Sequence, residues 1–223
     1  MRNAARWVLL IACLSACSKA PGPETPAPAA TLADRMEKLS PRQQLQALAA
    51  DSSAEASFFR GNAYFSLGVE LPESEHPRAV TLYDSALVAY QHAVETDTTM
   101  SKAWVNMGLT YDALAKRPEA RRAFETAIAT NPEDVLALCH LGFSQTLIGD
   151  LDAAMKLYKR ALAIDPNSSQ AHYNLGLAFA EAKLFKEALV EWETVVRLEP
   201  DGDLGRAAAD NVRIIRQYIA DGK

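Results

Sequence analysis

Four histidines, His76, His92, His140 and His172, are the side chains best suited to proton transfer or metal ligation. They are scattered, and only His140 and His172 invite comparison. Their faces match too loosely for spacing to imply a shared metal. The three cysteines, Cys13, Cys17 and Cys139, lack the paired spacing of a zinc site. The chain has no phosphate loop, no G-x-S-x-G elbow and no H-E-x-x-H. Acidic pairs such as Glu133-Asp134 fall at helix starts, where a carboxylate complements the helix dipole. The expectation is a non-enzymatic protein with no cofactor, no metal and no catalytic residue. A net charge of −5 also argues against nucleic acid as a partner, which needs a basic patch or stripe.

The first residues read as a targeting segment. Arg2 and Arg6 make a basic start, and Trp7 to Leu14 is an apolar run too short to span a bilayer. Small residues Ser15 and Ala16 then precede Cys17. Leu14-Ser15-Ala16-Cys17 resembles the lipobox of bacterial lipoproteins, with an ordinary cleaved signal or an N-terminal membrane anchor as the alternatives. The resemblance implies cleavage before Cys17, lipidation of that cysteine and a membrane held by the acyl chains. Two or more chains anchor stably, at about 0.8 kcal/mol per buried methylene. Ser18, where the family's inner-membrane retention signal has Asp, implies an outer-membrane destination in a two-membrane cell. Beyond Ala16 the chain carries 21 basic and 28 acidic side chains, a net of −7, so its body has no affinity of its own for anionic lipid. Cys139 is then the one cysteine left with a free thiol, and no intramolecular disulfide is available.

Ser101 to Gly202 divides into three 34-residue units that align without gaps. Position 8 is Gly108, Gly142 and Gly176. Position 20 is Ala120, Ala154 and Ala188. Position 24 is Phe124, Tyr158 and Trp192, and position 32 is Pro132, Pro166 and Pro200. Each unit predicts two amphipathic helices, the second stopped before its proline. The position-8 glycine is expected to face the position-20 alanine, so that the two backbones can approach. Period and pattern resemble the tetratricopeptide repeat. That resemblance implies an all-α, right-handed superhelical solenoid, because one unit cannot bury its apolar face alone. Gln145, His172 and Val195 depart from the family pattern at positions 11, 4 and 27. His140 and His172 fall at positions 6 and 4.

Residues 1–16 are the signal, and 17–31 a lipidated cysteine with a proline-rich tether. Residues 32–53 form an N-terminal segment, helical over Leu32 to Leu39 and Pro41 to Ala50. Residues 54–100 are a modified repeat carrying 13 extra residues, in which Gly61 takes position 8, Tyr90 takes position 24 and Gly68 ends the first helix. Units 101–134, 135–168 and 169–202 follow, then a C-terminal capping helix in 203–223, apolar on one face and charged on the other.

In the repeat family, first-helix positions 2, 5, 9, 12 and 13 line the concave face. Carried over, they give a partner groove of Phe58, Asn62 and Phe65 from the modified repeat. The next units add Val105, Leu109 and Asp112, then Cys139 and Phe143, then Tyr173, Leu177 and Glu181. This lining is mainly apolar, with Asp112 and Glu181 as isolated acids. It suits an apolar or amphipathic protein segment with a basic flank. The resemblance implies a scaffold or assembly factor of the cell envelope that binds a protein or peptide partner. An alternative is a self-associating structural protein whose groove takes its own Leu32 to Ala50 segment or a second copy. The oligomeric state stays open.

Overall fold

The computed structural model describes residues 30–221; the signal, Cys17 and most of the tether lie outside the described residues, as does the C-terminal Gly222-Lys223. Among the described residues all regular structure is helical. None of these helices is long and apolar enough to cross a membrane. The order is α1 (Leu32–Met36), α2 (Pro41–Ala47), α3 (Ala54–Val69), a 3-10 turn (Glu73–Glu75), α4 (His76–Thr96), α5 (Ser101–Ala113) and α6 (Arg117–Thr130). Then come α7 (Val135–Leu147), α8 (Leu151–Ile164), α9 (Ser169–Glu181), α10 (Phe185–Leu198) and α11 (Asp203–Ala220). Odd and even helices from α3 to α10 are the first and second helices of four hairpins, stacked in chain order. The result is an all-α solenoid.

Local signals explain the boundaries. Ser53, Asp134, Asp150 and Ser168 each accept a backbone N–H of the first turn that follows. In the three regular units the first helix ends with the N–H of position 16 donating to the carbonyl of position 11, as from Lys116 to Tyr111. That turn needs a left-handed residue at position 15. Gly149 meets the need without a side-chain penalty, at φ 82°, whereas Ala115 and Lys183 adopt φ 58° and 61°.

Inside each hairpin the position-8 glycine lies against the position-24 aromatic. A Cβ on Gly142 would lie 2.5 Å from the Tyr158 ring, and one on Gly176 2.5 Å from Trp192 Nε1. Gly61 meets Tyr90 and Gly108 meets Phe124 in the same way. The glycine therefore seats the flat face of the position-24 aromatic. The position-20 alanines are buried as well. Trp192 also donates its indole N–H to the Tyr173 carbonyl at 3.1 Å, so this ring is fixed by both shape and hydrogen bond.

The modified repeat repeats that seat. Gly68 does not end α3, which runs to Val69; a Cβ on Gly68 would lie 2.5 Å from Tyr83. Gly61 and Gly68 on α3 thus take Tyr90 and Tyr83 on α4, one heptad apart on both helices. The inserted residues lengthen the hairpin without changing how its arms meet, and α4 reaches 21 residues.

The two ends close differently. α1 and α2 are shorter than the expected 32–39 and 41–50, because the side chain of Gln44 donates to the carbonyls of Met36 and Leu39 and Leu48 turns inward. Met36 and Leu48 bury themselves with Ala56 against Phe59, on the N-terminal edge of α3. Arg60 donates to the Leu48 and Asp51 carbonyls and locks that cap. At the other end α11 packs on α9 and α10 as the first helix of a fifth unit would, with Gly205 at position 3 and Val212 at position 10 buried. Position 8 of that unit is Asp210, paired with Arg213 at 3.0 Å. A charged pair thus stands where the regular units have the glycine seat.

Candidate functional site: the concave face

Successive first helices approach each other, α3 with α5, α7 with α9 and α9 with α11; no two second helices of neighbouring units come as close. The first-helix side is therefore the concave one. Side-chain hydrogen bonds cross this wall. Asn106 Nδ2 donates to Asn62 Oδ1 at 2.8 Å, and Asn211 Nδ2 donates to Tyr173 Oη at 3.4 Å.

The predicted groove residues fall into three groups. Position 5 is not open to a partner. Val105 and Cys139 are 2% and 1% exposed, and Tyr173 is buried too. Each packs against a neighbouring helix, Cys139 among Leu138, Ala161 and Ala171. Position 5 turns into the seam between units, one step past the groove floor, so these three leave the candidate site. Burial pushes the Cys139 thiol up to about 12, with Asp134 and Asp165 adding to the shift, so it stays protonated. Phe58 and Phe65 are half-buried but lean on Tyr90 and Tyr83, with ring centroids 6.0 and 5.6 Å apart. Asn62 also accepts from the Tyr90 hydroxyl at 2.8 Å, so one carboxamide oxygen joins α3, α4 and α5. Its role is structural: the buried Tyr90 hydroxyl and the half-buried Asn106 amide both depend on it.

What remains is position 9, where Leu109, Phe143 and Leu177 stand half-buried in one line, one per unit. Leu109 and Leu177 lean on buried clusters, whereas Phe143 joins none among the described residues. Leu147, 48% exposed, continues the apolar surface toward the α7–α8 turn. Asp112 lies one turn after Leu109 and is half-buried. Burial raises its carboxyl above the ordinary range, against a pull from Arg117. Glu181 is exposed at the end of α9.

The N-terminal segment does not occupy this line. α1 and α2 sit on the edge of α3 because their buried side chains, Met36 and Leu48, fit there. This overturns the alternative in which Leu32 to Ala50 fills the groove.

The histidines have separate roles. His92 Nδ1 shares a hydrogen bond with Ser57 Oγ at 2.9 Å. His172 places Nδ1 2.6 Å from Glu191 and Nε2 3.0 Å from the Pro166 carbonyl, fastening α9 to α10 and to the preceding turn. His140 stacks on Phe124, centroids 5.2 Å apart, and its buried Nε2 has no hydrogen-bond partner among the described residues. Desolvation lowers His140 to about 4, against a smaller opposing pull from Asp134. His76 is exposed at the start of α4. Among the described residues no three His, Cys, Asp or Glu side chains gather as a metal site would require.

Comparison with known proteins agrees with this architecture. Residues 101–134 match the tetratricopeptide repeat model and residues 146–182 a TPR repeat model. The second match spans α8 and α9, the end of one unit and the start of the next. The crystal structure of MamA is similar over 76% of this chain and 95% of its own, at 23% identity and a TM-score of 0.59. YrrB, described as a TPR protein with an unusual peptide-binding site, matches 76% of this chain and 84% of its own, at 21% identity and 0.57. The first TPR of Spaghetti (RPAP3), bound to the HSP90 peptide SRMEEVD, matches 56% and 96%, at 20% and 0.51. At these identities the likeness is one of fold.

Proposed function

We propose that this all-α solenoid of tetratricopeptide repeats is a non-enzymatic scaffold of the cell envelope. A lipid on Cys17 anchors it, and its concave face takes a segment of a protein partner. One observation carries the binding reading: Leu109, Phe143 and Leu177 form an apolar line on a concave wall that the chain's own α1 and α2 leave open. Apolar side chains in a line one repeat apart fit an amphipathic segment laid across the units. The structures of YrrB and of Spaghetti with its HSP90 peptide concern peptide sites on the same kind of solenoid, which supports the reading. The anchor is supported by Leu14-Ser15-Ala16-Cys17, and the outer membrane by Ser18.

Two variants of the full chain test this in cells. Cys17→Ser should move the protein from the membrane to the soluble fraction. Phe143→Asp/Leu177→Asp should stay in the membrane yet lose the proteins that co-purify with wild type in detergent. Equal recovery of those proteins by wild type and the double variant would remove the groove from the account.

A further inference from the structure

The acids of the concave face stand where the fold disfavours them. Asp112 lies in the last turn of α5 and Glu181 is the last residue of α9. A helix C-terminus carries partial negative charge, which favours cations and opposes carboxylates. Lys102 shows the reverse: it is an exposed cation in the first turn of α5, at the positive end. The helix dipole explains none of the three.

Asp112 is also half-buried without a hydrogen-bond donor among the described residues. Asp34, Asp51 and Asp97 each accept hydrogen bonds from a neighbouring backbone and hydroxyl or side chain. Asp112 has none among the described residues; only burial and the more distant charge of Arg117 act on it, and Arg117 itself is exposed. Asp112 and Leu109 are three residues apart on α5, hence on one face, so the carboxylate borders the apolar line. An occupant lying on Leu109 and Phe143 would strip more water from Asp112. An opposite charge with hydrogen-bond donors offsets that loss most fully.

We propose that the segment taken by the groove carries a lysine or arginine whose cation seats at Asp112, with apolar side chains on Leu109 and Phe143. The long stem of such a residue lies on the apolar line while its head reaches the carboxylate. The polarity of α5 fixes the side: the cation lies on the edge of the apolar line toward the C-terminal ends of α5 and α9, away from Lys102. This assignment rests on the groove reading above.

The test is selection of random dodecapeptides displayed on phage against the detergent-purified full chain. Wild type is expected to select peptides that place a Lys or Arg beside two apolar residues. A synthetic selected peptide should bind Asp112→Asn about tenfold more weakly than wild type. Its norleucine version, with the cation removed, should bind both proteins alike. Peptides without a basic residue, or an Asp112→Asn loss that persists with norleucine, would overturn the cation site. Peptides that bind Phe143→Asp/Leu177→Asp as well as wild type would overturn the groove itself, and the cation with it.

Discussion

Replacing Gly176 with alanine is expected to destabilise the solenoid by about 2 kcal/mol, although alanine is the better helix former by about 1 kcal/mol. The new methyl would lie 2.5 Å from Trp192 Nε1. That ring cannot swing away: it is 3% exposed, wedged against Ala188 and Val195 in the largest buried cluster, and tied to the Tyr173 carbonyl. Overpacking a well-filled core costs about 1–3 kcal/mol and occasionally more, which outweighs the propensity gain. Urea unfolding of residues 30–223 reads the change as a lower midpoint. Shrinking the ring should reverse the sign. In a Trp192→Leu background the alanine should be neutral or stabilising, since the contact it violates has gone. A midpoint that rises on Gly176→Ala alone would show that the glycine is not a seat for the ring.

The second large effect is on pH. His140 is held at about 4 in the folded chain, below its ordinary value of 6.5, because burial disfavours the imidazolium and Nε2 meets no acceptor. The unfolded chain therefore binds this proton first as pH falls. The contribution is complete above about 6.5 and is lost progressively down to about 4, amounting to about 3 kcal/mol. Asp112 works in the opposite direction: its carboxyl is raised by burial, so protonation relieves it in the acid range. The two are separated by comparing wild type with His140→Asn, the residue at the same position in Asn106 and Asn174. The variant loses the stack on Phe124 and starts less stable. Its stability should fall less than that of wild type between pH 7.5 and pH 4.5. Parallel curves would mean that His140 takes up its proton without opening the fold.

Much of this was legible in the sequence. Small and aromatic residues recurring with a 34-residue period require helical hairpins that stack, and the hairpins are there. The pairing within them was not. Position 8 and position 20 are both small, which suggests that they meet, but nothing in that pattern adds that a ring lies on the glycine. Composition alone cannot distinguish a backbone brought close by two small residues from one brought close to a flat aromatic. Gly68 misled for a related reason: a glycine near a helix end reads as a stop, and the Tyr83 that needs it lies across a turn of irregular length.

The concave face was half legible. Periodicity identifies which residues share a face, but depth depends on the neighbouring unit. Val105, Cys139 and Tyr173 share the face with Leu109, Phe143 and Leu177, and the adjacent helices bury the first set and leave the second half open. Asn62 reads as a polar groove contact because its donors, Tyr90 and Asn106, are far away in sequence. The unfavourable positions of Asp112 and Glu181 could have been seen from the helix boundaries alone, since both stand in a last turn where a cation belongs.

The claim that the concave line is the working surface is tested most directly by site-specific photo-cross-linking in cells. A benzophenone side chain at Phe143 faces the groove; one at Val88, 72% exposed on α4, faces away from it. One defined adduct is expected from position 143, diminished by Leu177→Asp, and none of that mass from position 88. The same adduct from position 88, or none from position 143 while the partner still co-purifies, would contradict the claim.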